Sequence, residues 1–393
     1  MNFFLNYGLI INNYFLSIHL RLKTLFLTLK TFSATGAIEK ACRVTARALY
    51  ENSISGRGEF FMFARDDESS ANTQPYLPAN LYRSFNRSRL RFTWQCLRDA
   101  KKFDLVVLSH FNLLPAGYFM KMLAPKIKLV LIAHGIEIWK PIPVTKKFMM
   151  QKVDWLVPAS NFTKSKIESL NGISHSKFCI VYNCLDPFLP APPNSARRKE
   201  FRYSYGFEEN DVVIMAFSRI SESMNDIGYD KILVALKKLQ SACPRLRLLC
   251  VGKYREGEKK RLDLLINALG IEFDVIFTGF VPETVIGEYF NMADAYIIPG
   301  EKEVFGFPFL EALYYNKIVI AGKIDEDTTQ GYENKMGHFI DINDQEEIIV
   351  ALKHVYDGID TYRPDRSLLV DKFSFPAYKA NWQSLFDKIK LAG

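Results

Sequence analysis

Two carboxylates bracket the stretch of this chain with the most chemical potential, Glu303-Val-Phe-Gly-Phe-Pro-Phe-Leu-Glu311. The run lies between Ala295–Pro299 and Ile318–Ala321, two apolar segments that read as consecutive buried strands. Pro308 suits the first position of a helix, where its missing N–H costs nothing. A helix is therefore expected to start near Phe307, with its free N–H groups facing whatever fills the loop. That is the geometry of an anion site. Glu303 stands at its entrance and Glu311 about one turn in. Carboxylates repel phosphate but accept hydrogen bonds from hydroxyls. A ligand with both an anion and hydroxyls, as in a sugar nucleotide, satisfies every part of the pattern.

Other candidates sit at the ends of predicted strands. Phe217-Ser-Arg219 closes one, where a guanidinium either neutralises a diphosphate or forms a surface ion pair. His134-Gly-Ile-Glu-Ile-Trp139 follows a strand ending at Ala133, and a histidine at a carboxyl edge followed by glycine is expected to point into a cleft. His110 also ends a strand but lacks the glycine turn, so it ranks below His134. His19, His175, His338 and His354 read as surface or packing residues. Gly36, between a strand and a helix, either lets the backbone approach a phosphate or is a plain turn. Asp325-Glu-Asp327 reads as a solvated loop, although it has the form of a metal-holding pair. No His, Cys or carboxylate cluster has metal-ligand spacing, so no metal is expected. No nucleophile elbow or Walker loop occurs.

These residues need a frame. A chain of 393 residues suggests two domains, and 48% hydrophobic with 24% charged residues is an ordinary globular composition. Strands at 24–32, 104–110, 128–133, 155–159 and 178–182 alternate with helices such as Ala37–Glu51 and Phe162–Leu170. A second series has strands at 212–217, 246–251, 275–278, 295–299 and 318–321. Its helices include Lys231–Ala242, Lys259–Leu269 and Thr284–Met292. This rhythm predicts an α/β chain with parallel sheets covered on both faces and ligands beyond the carboxyl ends of strands. Between the series, Pro187–Ala196 places four prolines in seven residues and reads as a linker. The expected organisation is an extension over 1–22, a first domain over 23–187, a linker over 188–197, a second domain over 198–373 and a C-terminal helix over 374–393. Two such sheets facing each other would make a cleft.

Charge is divided unevenly. Residues 1–190 carry 25 Lys and Arg against 12 Asp and Glu, +13, whereas residues 191–393 carry 26 against 31, −5. Arg83, Arg87, Arg89, Arg91, Arg98, Lys101 and Lys102 fall in one window among Phe85, Leu90, Phe92, Trp94 and Leu97. The window suits a solvated helix face and, equally, contact with an anionic membrane surface. No nucleic-acid motif accompanies the charge, so no nucleic-acid partner is expected. The six cysteines show no CxxC spacing and read as reduced core residues of a cytosolic protein. Met1–Leu20 is apolar but broken by asparagines. It lacks a basic start and a cleavage site, so it reads as a poor signal peptide and a poor membrane span.

Taken in order and spacing, these segments resemble the retaining glycosyltransferases of the GT-B fold, family four, which include bacterial mannosyl-, glucosyl- and galactosyltransferases of surface polysaccharides. The resemblance rests on Glu303 and Glu311 with the loop between them. It extends to Thr278-Gly-Phe-Val-Pro282, Asn291-Met-Ala-Asp294, Gly337-His-Phe-Ile-Asp341, Gly36-Ala-Ile-Glu39, His134–Trp139 and Asn183-Cys-Leu-Asp186. It runs from about residue 23 to the end.

The resemblance implies two facing Rossmann-like domains with an interdomain cleft, and a C-terminal helix that crosses back to the first. It implies a metal-independent transfer of a hexose, with retention, from a UDP- or GDP-sugar to a glycan or lipid-linked acceptor. It also implies a peripheral position at the cytosolic face of a bacterial inner membrane. Glu303 would bond the sugar hydroxyls and Glu311 the ribose. Phe305, Gly306 and Phe307 would offer backbone N–H groups to the diphosphate, and Arg219 would neutralise it. Gly36 would close over the phosphates, with His134 near the sugar and acceptor. The chain departs from the family pattern at Ile227, where a lysine is expected beside the diphosphate, and at Ala37 and Val304, where glycines are. Ile227 motivates a rival reading, a catalytically silent nucleotide-sugar-binding protein. A sugar-nucleotide epimerase of the same fold is a second.

Overall fold

The computed structural model describes residues 21–56, 58–135, 142–217, 228–298, 306–322, 337–358 and 366–391. The chain divides into two compact units, Met1–Tyr182 with Tyr378–Gly393, and Asn183–Ala377.

The first unit is built on six parallel strands, β1 (Lys23–Thr28), β2 (Glu59–Ala64), β3 (Tyr82–Ser84), β4 (Leu105–Leu108), β5 (Lys128–Ala133) and β6 (Trp155–Pro158). They lie in the order β3-β2-β1-β4-β5-β6. Leu25 of β1 stands beside Phe61 of β2 and Val106 of β4. The inner strands read as unbroken apolar runs, such as Leu-Val-Leu-Ile-Ala in β5, because helices cover both faces and neither side of a strand meets water. Leu25, Leu27, Val106, Leu108, Leu129 and Leu131 pack one face with Phe92 and Met120 from the covering helices. Within the helix Leu114–Leu123, a Cβ on Gly117 would come within 2.8 Å of a Leu108 methyl and 2.9 Å of a Leu129 methyl. Glycine is what lets that helix lie so close to the sheet.

The second unit has β7 (Val212–Phe217), β8 (Leu246–Val251), β9 (Val275–Gly279), β10 (Ala295–Ile297), β11 (Ile318–Gly322) and β12 (His338–Ile340). Their order is β12-β11-β10-β7-β8-β9. Counted from its own first strand, this is the arrangement of the first sheet, the doubly wound order in which chain direction reverses between the first and fourth strands. The reversal points are β1/β4 and β7/β10. Ligand crevices of such sheets open at these points, beyond the carboxyl ends.

An aspartate placed just ahead of a strand fastens both sheets at their amino edges. Asp104, before β4, accepts the Lys23 N–H of β1 at 2.9 Å. Asp294, before β10, accepts the Val213 N–H of β7 at 2.8 Å. Asp154, before β6, accepts the Leu129 N–H of β5 at 2.6 Å. Each satisfies a strand-end donor that the ladder leaves over.

The C-terminal helix Phe375–Leu391 buries Trp382, Leu385, Phe386 and Ile389. From Tyr378 onward it belongs to the first unit, where its early turns meet the helix Ala37–Ser55. Thr45 Oγ1 and Tyr378 OH are 2.8 Å apart, Asn52 donates to the Lys379 carbonyl at 2.9 Å, and Lys379 pairs with Glu51 at 2.8 Å.

The expected strands from Lys128, Val212, Leu246 and Ile318 appear with ends shifted by little or nothing. The expected strand at 178–182 does not form: Phe178 makes a single isolated bridge to Leu156. β1 ends at Thr28, short of the expected residue 32, because the next backbone groups turn onto a side chain described below. The proline run is no free tether. Tyr315 donates its hydroxyl to the Pro190 carbonyl at 2.9 Å, and a helix, Ser195–Ser204, begins inside the span expected to be linker. All six cysteines are free thiols, and five are buried.

Candidate functional site

The carboxyl edge of the first unit is organised by two buried charged residues that hold opposite sides of one loop. Asp67 is wholly buried. Its carboxylate accepts the N–H groups of Thr31 (2.9 Å), Phe32 (3.0 Å) and Ser33 (2.9 Å), and the Tyr82 hydroxyl (2.8 Å). Arg43, also buried, donates to the carbonyls of Thr31 (3.1 Å) and Ala34 (3.2 Å), and its guanidinium lies 5.8 Å from the centre of the Tyr76 ring. A carboxylate thus takes the donors of the β1 loop and a guanidinium its acceptors. Burial, followed by the Asp67 charge, raises the Tyr82 phenol far above its ordinary range, so it stays a donor. The loop delivers the chain to Gly36, the N-cap of the helix Ala37–Ser55, where no side chain caps the first turn. Gly36 has φ 161°, extended backbone open to any residue, so its contribution is the lack of a side chain at the helix mouth.

His134 stands directly after β5. Its Nε2 lies 2.9 Å from the Ser109 carbonyl, which can only accept, so Nε2 carries the proton. Gly135 follows with φ 146°, a conformation that other residues rarely adopt and that turns the chain sharply after the histidine. Ser109, buried just beyond β4, links this ring to the helix behind Gly36. Its side chain bonds the thiol of Cys42, which burial pushes up to about 12. His110 is a local cap instead: its Nδ1 accepts the Asn112 N–H at 2.9 Å. The structure therefore brings Gly36, Ser109 and His134 to the reversal point of the first sheet.

In the second unit the helix Phe307–Tyr314 begins behind an N-capping Gly306, with Pro308 in its first turn and no side-chain cap. Phe307 is buried, and Phe309 packs its ring 6.2 Å from that of Phe339 of β12. Glu311 is 1% exposed, so a carboxylate lies inside the protein one turn beyond the helix mouth. Burying a charge is costly without compensation, and the dipole of the helix start is one compensation. Arg219, Glu303, Phe305, Ile227 and the Asp325–Asp327 loop lie outside the described residues. By chain position, Arg219 follows β7 and Glu303 follows β10, the two strands that flank the reversal of this sheet.

Sequence reasoning missed Asp67 and Ser109. The signal for Asp67 was present, because Glu59-Phe-Phe-Met-Phe-Ala64 is a β-prone apolar run and Arg65-Asp-Asp-Glu68 leaves it at the carboxyl edge. Ser109 is silent in the sequence, since the atom that meets His134 is a backbone oxygen. Among the described residues, no group of three or more His, Cys, Asp or Glu side chains is placed to hold a metal ion.

Comparison with known proteins gives two family matches. Residues 57–187 match the model for Glycosyltransferase Family 4, and residues 197–362 match Glycosyl transferases group 1. Among curated proteins, a GDP-mannose-dependent alpha-(1-6)-phosphatidylinositol monomannoside mannosyltransferase of Mycolicibacterium smegmatis is 26% identical over 239 residues, 57% of this chain and 60% of that protein. Matched stretches span between 27% and 61% of the lengths of the curated relatives. Among solved structures, HepE of Anabaena in complex with UDP and glucose superposes with a TM-score of 0.76 at 18% identity, covering 93% of this chain and 100% of that one. The lipopolysaccharide outer core galactosyltransferase WaaB superposes with a TM-score of 0.65 at 16% identity, covering 93% and 100%. With a family-four match in its first half, a group-one match in its second and two doubly wound parallel sheets, this chain belongs to the GT-B-fold glycosyltransferases.

Proposed function

We propose that the protein transfers a hexose from a UDP- or GDP-sugar to a glycan acceptor, lipid-linked, with retention of anomeric configuration, in the synthesis of a surface polysaccharide. The observation that carries this reading is the uncapped helix start at Gly306 with Glu311 buried one turn beyond it, following β10 at the sheet reversal. The helix mouth suits a diphosphate and the carboxylate suits a ribose diol. The binding of UDP and glucose by HepE, a protein of the same fold, supports a nucleotide-sugar donor. The curated mannosyltransferase and the galactosyltransferase WaaB support a hexose.

In this reading Glu303 bonds the donor sugar, and the N–H groups of Phe305, Gly306 and Phe307 meet the diphosphate. Arg219 neutralises that diphosphate as it leaves, so no metal is required. Gly36 offers uncapped helix N–H groups to a phosphate. His134 positions and polarises: its Nε2 proton is committed to Ser109, so any proton exchange by this ring passes through Nδ1. Same-face attack needs positioning and charge stabilisation more than a strong base.

Contact with an anionic membrane, at the cytosolic face of the inner membrane, completes the reading. The helices Arg89–Asp99, Leu114–Leu123 and Val144–Met150 pack side by side in the first unit. They expose Leu90, Trp94, Phe119, Met122 and Phe148 among basic side chains, and the Arg98 guanidinium lies 4.6 Å from the centre of the Trp94 ring. Apolar side chains rimmed by cations suit an anionic interface. Among the described residues no helix is long and apolar enough to cross a membrane.

The test is donor consumption by purified protein over a panel of UDP- and GDP-sugars with lipid-linked acceptors. Glu303→Ala is expected to abolish transfer, and Ile227→Lys to leave it unchanged or raise it. Full activity of the Glu303 variant would sink the site assignment. Donor binding without turnover across the panel would favour the silent reading that Ile227 motivates, and release of free sugar without an acceptor would favour an epimerase.

A further inference from the structure

In the proposed transfer the donor has several contacts and the acceptor only His134. The loop after β4 offers more. It runs from Ser109, whose carbonyl meets His134 Nε2 at 2.9 Å, to Asn112. Asn112 is held twice. His110 Nδ1 accepts its backbone N–H at 2.9 Å, and its side-chain Oδ1 accepts from Lys146 Nζ at 2.9 Å. Lys146 belongs to the helix Val144–Met150, which follows β5 and His134 in the chain. The chain segments leaving β4 and β5 thus meet at the carboxyl edge of the first sheet, the edge where ligand crevices open.

The chemistry left on offer there is one-sided. Lys146 is half-buried, and its ammonium stands 4.4 Å from the centre of the buried Phe111 ring. Among the described residues no carboxylate pairs with it, because its partners are an aromatic ring and an amide oxygen, both neutral. Its positive charge therefore remains for a ligand, with two of its three N–H bonds. A lysine can only donate, so the Asn112 atom that meets it is the amide oxygen. The Nδ2 branch of this exposed amide has no hydrogen bond to any described residue. The pair presents donors and a charge, and its one side-chain acceptor is consumed. A neutral sugar hydroxyl would find no acceptor here for its proton. Two ammonium and two amide N–H bonds from separate elements match the several oxygens of a phosphate better than the two of a carboxylate.

We propose that Lys146 and Asn112 bind a phosphate group of the acceptor beside His134. This subsite deepens the transferase reading and rests on it for the identity of the ligand as acceptor. The phosphate belongs either to a soluble phosphorylated glycan or to the headgroup that ties a glycan to lipid. The helix that carries Lys146 also exposes Phe148, one of the apolar side chains assigned to membrane contact, which suits the lipid source.

The experiment titrates wild type, Lys146→Met and Lys146→Arg calorimetrically in two arms, each with saturating UDP and GDP so that diphosphate sites elsewhere are filled. Glycerol 3-phosphate reads the soluble source. Dihexanoyl phosphatidylglycerol, kept below its micelle concentration, reads the headgroup source. Lys146→Met is expected to weaken binding about tenfold in at least one arm, equivalent to ~1.4 kcal/mol, while Lys146→Arg retains it. Asn112→Ala should weaken the same arm less. Loss in the first arm alone assigns a soluble phosphate, and loss in the second alone assigns a headgroup. Loss in both assigns the phosphate whichever molecule carries it. Lys147→Met removes the same charge at the next, exposed position and controls for a general electrostatic effect. Lys146→Gln keeps the test readable where methionine disturbs the helix. No binding by wild type in either arm, no loss in Lys146→Met, or an equal loss in Lys147→Met overturns the proposal. The titrations need no turnover, so the two readings fail separately. Phosphate binding that depends on Lys146 without donor consumption removes the transferase reading and keeps the subsite. Transfer with an acceptor KM unchanged by Lys146→Met removes the subsite alone.

Discussion

At the amino edge of the second unit, Asp294 accepts the Val213 N–H and stands against Arg198 and Arg202, while Lys317 lies half-buried on the carbonyls of Asn291 (3.4 Å) and Ala293 (2.9 Å). At the amino edge of the first unit, Asp154 plays the same part for Leu129 and Lys121, but three further lysines surround open space. The strand order is the same and so is the aspartate device. What differs is whether the cations are packed together or line an open cavity. Topology fixes where a carboxylate is needed to finish a strand, and it leaves free what is built around that carboxylate. One edge became a closed structural knot and the other a basic opening.

Removing the carboxylate from the closed knot should have the largest effect. Asp294→Ala strips Arg202, itself buried, of its ion pair and leaves the Val213 N–H unmatched. Breaking such a partly buried group is expected to cost about 4 kcal/mol. Asp104→Ala, at the corresponding position of the first sheet, loses one exposed hydrogen bond to Lys23 and is expected to cost about 1 kcal/mol. Urea unfolding of the two variants checks the contrast, and equal losses would break it.

Lys317 gives the second measure of how closed that edge is. Burial, followed by the Arg198 charge, lowers its pKa to about 8 from an ordinary 10.5. Between these values the unfolded chain binds the proton and the folded one does not, so this residue's contribution to stability rises with pH through that window. Below pH 8 the penalty is at its full size. The stability difference between wild type and Lys317→Met is therefore expected to move in favour of wild type from pH 8 to 10.5, by about 3 kcal/mol in total. Cysteine and tyrosine titrations, common to both proteins, cancel in the difference. A flat difference would mean that the edge admits water.

Much of this was legible in the sequence, for physical reasons that also mark where reading failed. Strands such as β5, β7 and β8 are continuous apolar runs because both their faces are covered, and they were placed with little error. Pro308 announced the helix at Phe307, since proline suits the first turn of a helix, where its missing N–H costs nothing. β3 is three residues long with half-exposed side chains, too short for any period to register. The strand expected at 178–182 has the composition of an edge strand but gains only one bridge. Among candidate site residues, those recognisable by side-chain chemistry could be named from the sequence. Asp67 was not: an acidic run after an apolar segment marks its place at a strand end, but its role depends on backbone N–H groups of residues more than thirty positions earlier, which no local pattern encodes.

Asp67 supplies the last and smallest contrast, between the carboxyl edges. In the second unit a helix start and a buried Glu311 are local to one segment, whereas in the first the loop before Gly36 is shaped by a carboxylate from another strand. Asp67→Asn keeps the shape but puts an amide, half of it a donor, against four donors. The expected loss is about 2 kcal/mol, from unmatched buried N–H groups. Tyr82→Phe removes one of the four donors and is expected to cost about 1 kcal/mol. Because the clamp acts on the backbone of residues 31–33 and touches no ligand itself, Asp67→Asn should lower transfer through the donor KM more than through kcat, with Tyr82→Phe following in the same direction more weakly. If Asp67→Asn lowers stability and leaves the KM of every donor unchanged, the loop is scaffold alone, and the donor is held without the first sheet's reversal point.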